Sequence, residues 1–205
     1  MTEVINDNFI GTRKLINEGA SEQKLQRELK KDLSIFSKIC AVPHDEYIIF
    51  SELPVGTTGA CDFAVFTGRS YMKVYFIEVK GADFSLINNP TKKGATFNAS
   101  FLEGIDQIIR RKQYSLANEL SYRDEAYKIR TIVESGTQMY NSLLSAKGHL
   151  LVDKGKPVSV RGVVIGGRSI QGLNQIEAEK RDAWRKSIDF HIELMSWDSF
   201  LTSVR

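Results

Sequence analysis

Apolar residues recur along this chain with two different periods, and each change of period marks a change of element. Leu25, Leu29, Leu33, Phe36 and Ile39 follow one another at three- and four-residue spacing, which predicts a helix from Ser21, its N-cap, to about Ile39. A shorter amphipathic piece over residues 9–16 precedes it and ends at Gly19. Short apolar-rich runs then predict strands over residues 47–53, 60–66 and 72–80, punctuated by turn segments at 54–59 and 67–70. Val74, Tyr75, Phe76, Ile77 and Val79 supply apolar groups to both faces of the third strand, so it reads as central and buried on both sides.

Residues 81–94 have no periodicity and read as a surface loop that orders on substrate. Helical spacing returns near residues 98–100 and runs through Phe101, Ile105, Ile108, Ile109, Leu116 and Leu120. Further helical pattern covers 127–144. A strand over 158–165 ends in Gly166-Gly167-Arg168, and a polar helix over 174–187, a strand over 191–195 and a terminal element over 197–204 complete the chain. The order predicts an α/β fold with a central mixed β-sheet flanked by helices. Residues 1–20 are expected to be a short N-terminal appendage to one domain over 21–205.

Charged residues inside this apolar pattern carry the chemistry. A hairpin centred near Ser70 pairs residues whose numbers sum to about 140, as 62 and 78 do, so Asp62 is expected opposite Glu78. Lys80 lies two residues on and points to the same side. Like charges facing each other are destabilising unless a cation sits between them, and a divalent metal is the usual remedy. Asp, Glu and Lys converging at a strand end form a minimal site for metal-assisted phosphodiester hydrolysis. Glu22 lies on the apolar stripe one turn before Leu25 and points towards the core, with Glu28 as the alternative carboxylate.

Composition narrows the class. The 205 residues are 42% hydrophobic with a net charge of +3, which permits nucleic-acid binding without requiring it. No apolar run approaches the roughly 18 residues needed to span a bilayer. The first residues lack the charge and apolar block of a signal peptide, and two cysteines, Cys40 and Cys61, are too few for a disulfide framework. Reduced thiols, a cytoplasmic location and no membrane association are expected. His44, His149 and His191 have no zinc-ligand spacing with the cysteines, and neither a dinucleotide fingerprint nor a P-loop is present, so no organic cofactor is expected.

Four segments together resemble the nuclease domain of the Shedu anti-phage defence family, within the PD-(D/E)XK nuclease superfamily. They are Glu22-x-x-Leu25-Gln26-x-x-Leu29; Asp62 with Phe76-Ile-Glu-Val-Lys80; Gly104-Ile-Asp-Gln107-Ile; and 161–168 with 192–201. Cys61 stands where the superfamily pattern has proline. The resemblance implies a restriction-endonuclease-like fold and a DNA endonuclease, with phage or other invading DNA as partner and a homo-oligomeric state. The segment 127–144 has apolar residues to spare for such an interface. The resemblance also implies Mg²⁺, with Mn²⁺ as substitute, held by the Asp62 and Glu78 carboxylates and the Val79 carbonyl. Lys80 would orient water or stabilise charge on phosphorus, Glu22 would reach an outer-shell water or a second metal, and Gln107 would position substrate or water.

Lys92 and Lys93 in the loop, and Arg110, Arg111 and Lys112 on the helix, are the candidate phosphate contacts. Three consecutive charges span most of a helical circumference, so only a subset can face one ligand. Two other readings stand beside an active defence nuclease: a catalytically silent nuclease-like module for DNA binding or assembly, and a nuclease of the same chemistry in DNA repair or mobile-element processing.

Overall fold

The third strand is the centre of the molecule, as its two-sided apolar pattern requires. The computed structural model describes residues 9–41, 46–88 and 94–204. Helices α1 (Ile10–Asn17), α2 (Glu22–Leu29) and α3 (Ser37–Cys40) lead into strands β1 (Tyr47–Pro54), β2 (Ala60–Thr67) and β3 (Lys73–Val79). A two-residue pair, β4 (Ile87–Asn88) and β5 (Thr96–Phe97), precedes helices α4 (Ala99–Ala117) and α5 (Glu119–Glu134). The chain then runs through β6 (Leu143–Leu144), β7 (Ser159–Ile165), α6 (Asn174–Ser187), β8 (Ile192–Met195) and α7 (Trp197–Ser203).

The main sheet has six strands in the order β6-β1-β2-β3-β7-β8. It is antiparallel from β6 to β3 and parallel from β3 to β8. This is the expected mixed sheet. Strand alternation sends Val74 and Phe76 to one face, where they meet Phe101, Ile105 and Ile108 of α4 and Tyr122, Tyr127 and Val133 of α5. Tyr75, Ile77 and Val79 go to the other face and meet Ile16, Leu25, Leu29, Phe36, Trp197 and Phe200. Ile16 of α1 is fully buried in this second cluster.

The structure departs from the apolar pattern in four places, each for a local reason. The helix expected over 21–39 stops at Leu29, because the Asp32 carboxylate accepts the Ser34 N–H at 3.0 Å and opens a separate 3₁₀ turn, Leu33–Phe36. Leu33 and Phe36 stay buried, so the spacing reported packing but not continuity. The helix expected through Leu120 breaks at Asn118 (φ −123°, ψ 37°). Over 127–144 the helix ends at Glu134. Gly136 follows at φ 93°, and Leu143–Leu144 pair with β1 as an edge strand. Tyr127, Ile129 and Val133 are buried in the chain's own core, so they are not spare surface for an interface. Finally, the stretch after Gly81 is anchored where it is described, over 82–88: Ala82, Leu86 and Ile87 are buried, Ile87 pairs with Phe97, and Ser85 bridges to Arg168, while residues 89–93 of the expected loop lie outside the described residues.

Candidate active site

Register places the acidic pair, and a break in the strand then turns one member. Phe63 pairs with Ile77 and Ala64 with Phe76, the register the hairpin turn predicts. One step further on, Asp62 does not simply face Glu78. Phe63 belongs to the cluster under α2, yet Cys61, two residues earlier, sits in the cluster under α4, so alternation fails at Asp62. On the adjoining strand Glu52 has φ 56°, as expected where a strand bends beside a site. The Asp62 carboxylate consequently turns to the β3 backbone, where Oδ2 accepts the Val79 N–H at 2.8 Å.

Lys80 is held along its whole length. Its N–H donates to Ile165 O at 2.7 Å, and its own carbonyl accepts the Trp197 indole N–H at 3.0 Å. The aliphatic stem runs between two glycines. A Cβ on Gly166 would lie 2.7 Å from Lys80 Cβ, and one on Gly104 of α4 would lie 3.3 Å from Lys80 Cε. No larger residue fits at Gly166 without movement. The stem is therefore fixed, Lys80 is 4% exposed, and its ammonium reaches Glu22 Oε2 at 3.5 Å. Glu22 stands in the first turn of α2, whose Ser21 N-cap makes no side-chain capping bond. Gln26, one turn on, donates to Glu22 Oε1 at 3.2 Å. Glu28 pairs with Lys31 at 2.6 Å, beside Gly11. It is Glu22 that stands next to Lys80.

Helix α4 closes the site from the opposite face. Arg111 is 4% exposed, places Nη1 3.0 Å from Glu78 Oε1 and donates from Nη2 to Ala60 O at 2.6 Å. The Nη1 contact is an ion pair without hydrogen-bond alignment, so the buried Glu78 Oε1 has no hydrogen-bond partner. Gln107, one turn before Arg111, also carries a buried side-chain oxygen without a partner. Arg110 is exposed and Lys112 is half-buried, its pKa pushed down by that burial. The three basic residues thus point three ways, and Arg111 faces inward to the carboxylates, not outward to solvent. Lys92 and Lys93 lie outside the described residues.

Burial dominates the electrostatics. It is the first cause that raises Glu78 from 4.5 to about 7, and the Asp62 charge is the second, with Arg111 and Lys80 pulling the other way. Asp62 is also raised by burial, against its bond from Val79 and the charge of Lys80. Glu22 is raised by burial as well, opposed by Lys80 and reinforced by Asp62. Three carboxylates are crowded enough to resist ionising, which is the condition a cation relieves.

The donor chemistry suits a hard divalent ion. Among the described residues no group of three or more His, Cys, Asp or Glu is gathered to hold a metal. Mg²⁺, however, takes one or two carboxylates and keeps several waters. Asp62, Glu78 with its unpartnered oxygen, and the Val79 carbonyl fit that demand, since a strand residue's N–H and C=O leave the same edge and the Val79 N–H already meets Asp62.

A mixed sheet flanked by helices, with an aspartate on one strand, Glu-x-Lys at the end of the next and a glutamate on a preceding helix, defines an α/β domain of the restriction-endonuclease-like, PD-(D/E)XK class. The chain belongs to the Shedu anti-phage defence family: residues 19–201 match the family model described as Shedu protein SduA, C-terminal. Among curated proteins none matches the chain.

Gln26, Gly104, Gly166, Trp197 and the inward turn of Arg111 carried no assigned role in the sequence. Gln26 had a legible signal, because it lies four residues after Glu22 on one helical face. Gly166 and Gly104 show their purpose only when β3, β7 and α4 are brought together around Lys80.

Proposed function

We propose that this domain is a metal-dependent DNA endonuclease that hydrolyses phosphodiester bonds in defence against phage. The observation that supports it best is Lys80, a lysine gripped between two glycines at the end of β3, beside Asp62 and Glu78 and with Glu22 closing over its ammonium. A surface lysine needs no such slot. A buried ammonium with a fixed stem and an acidic neighbour is preorganised to meet negative charge developing on a phosphate.

Each residue has a part that follows from its surroundings. Asp62 is oriented by the Val79 N–H and, with Glu78 and the Val79 carbonyl, would hold Mg²⁺ or Mn²⁺. When bound, the metal supplies a more acidic water and a polarised phosphate oxygen. Lys80 offers its proton donors and charge to the phosphate or the attacking water. Glu22 keeps that ammonium in place at 3.5 Å, and Gln26 holds Glu22 from one turn along the helix. Gln107, with an unpartnered buried oxygen on the α4 face, is placed to accept a hydrogen bond from water or substrate. Exposed Arg110 is the α4 residue available to the DNA backbone.

One observation favours the silent-module reading: Arg111 already neutralises Glu78. Incubating supercoiled and linear DNA with the purified chain in Mg²⁺, Mn²⁺ or EDTA separates the two. Cleavage in either metal and none in EDTA supports the nuclease. Binding without cleavage in any condition supports the silent module.

A further inference from the structure

The least expected feature of the centre is a guanidinium. A charged side chain that is 4% exposed normally has every donor satisfied, because an unpaired buried charge is costly. Arg111 does not meet that standard. Its Nη2 is well bonded to Ala60 O, its Nη1 meets Glu78 Oε1 out of hydrogen-bond alignment, and its buried Nε has no hydrogen-bond partner. The carboxylate it faces is equally ill served, since Glu78 Oε1 lacks a hydrogen-bond partner too. Each group has a charge partner, and neither has the geometry of a finished structural salt bridge. A bidentate Arg–carboxylate pair built for stability looks like Arg168 with Asp198, where Nε and Nη2 both bond the carboxylate.

Charge count points the same way. With all three carboxylates ionised, as metal binding requires, Glu22, Asp62 and Glu78 against Lys80 and Arg111 give the centre one net negative charge. One divalent ion changes that to one positive charge, the complement of a single phosphodiester. Without Arg111 the same ion would leave the centre neutral, and a second ion would be needed to attract the phosphate.

We infer that Arg111 is a built-in cation that competes with the divalent ion for Glu78, setting the metal affinity of the centre and limiting it to one ion. The inference rests on the nuclease reading. Arg111 stabilises the empty carboxylate pair through Glu78, stays anchored on Ala60 O when the ion enters, and leaves its positive charge in the site. It is a positioning residue, acting through Glu78.

Mn²⁺ titration of the full chain, followed by electron paramagnetic resonance of the free ion, tests this. Wild type is expected to bind one Mn²⁺. Arg111→Gln is expected to bind Mn²⁺ at least about tenfold more tightly, since removing a cation a few ångströms from a ligand oxygen lifts a large repulsion. Arg111→Lys keeps the charge and is expected to stay near wild type. Equal or weaker binding by Arg111→Gln overturns the inference, as does an Arg111→Lys variant that binds like Arg111→Gln. If Arg111→Gln does not fold without metal, the Mn²⁺ concentration that restores half of its folded signal, multiplied by the folded fraction of the metal-free variant, replaces the titration. That product is expected below the wild-type dissociation constant, and a higher one overturns the inference. Should wild type and Arg111→Gln both fail to bind Mn²⁺, the nuclease reading falls and the inference with it. Failure of the inference alone is the case in which wild type binds and Arg111→Gln binds no better.

Discussion

Replacing Asp62 by asparagine removes one charge and little else, because an asparagine carbonyl can still accept the Val79 N–H that Oδ2 accepts at 2.8 Å. The size of the effect follows from Glu78, whose pKa rises from 4.5 to about 7, with burial first and the Asp62 charge second among the causes. A rise of that extent is on the order of 3 kcal/mol against the ionised form. The folded pKa lies above the unfolded one, so between 4.5 and about 7 the folded chain binds more protons and stability falls as pH rises. The penalty is complete above that window and absent below it. Asp62 ranks behind burial, so its share is about 1 kcal/mol, and relief of its own buried charge adds in the same direction. At pH 8 in EDTA, Asp62→Asn is therefore expected to exceed wild type by about 1 kcal/mol, or about 2–4 °C in Tm. The gap should shrink as pH falls towards 5, and saturating Mn²⁺ should reverse the order. Thermal melts followed by circular dichroism at the two pH values, with and without Mn²⁺, measure all three. An Asp62→Asn protein that melts well below wild type at pH 8 in EDTA would show instead that structural partners hold the carboxylate.

Other substitutions test the neighbouring parts. Glu22→Gln should lower cleavage by about 10- to 100-fold, the usual loss when an outer partner of a metal site is removed. Glu28→Gln should cleave like wild type, and initial rates on one plasmid substrate compare the two. Gly166→Ala forces a methyl to within 2.7 Å of Lys80 Cβ and should cost on the order of 1–3 kcal/mol in a denaturant melt, with cleavage falling further than Mn²⁺ binding. Arg110→Ala, on the exposed side of α4, should weaken DNA binding and reduce the salt slope by about one in filter-binding assays, with near-normal turnover at saturating DNA.

Much of this architecture was legible in residue order. The alternating and doubly apolar run into Lys80 identified a central strand, and turn position fixed the Phe63–Ile77 register. Those two facts brought Asp62, Glu78 and Lys80 to one end of the sheet without knowledge of the rest. What escaped were events decided by single polar side chains or by distant packing. Asp32 stopped a helix that the leucine spacing continued, because a local capping bond outweighs periodicity at that point. Leu143 and Leu144 matched helical spacing yet completed the sheet edge beside Ile48. Arg111 was indistinguishable from Arg110 and Lys112 along the chain. Only the rotation of α4 on β3 and β7 decides which of the three points inward. The bend at Asp62 likewise depends on Glu52 across the strand pair, a partner that composition does not reveal.

In the proposed nuclease Lys80 serves chemistry and not binding. The most direct test compares wild type and Lys80→Ala on the same DNA, measuring affinity in Ca²⁺ and single-turnover cleavage in Mg²⁺. Affinity should be nearly unchanged, since one phosphate contact among several carries a small share of binding. Cleavage should fall by about 10²–10³-fold, the scale of a lost electrostatic donor in a preorganised site. A Lys80→Ala protein that cleaves as fast as wild type would show that Lys80 has no part in the chemistry.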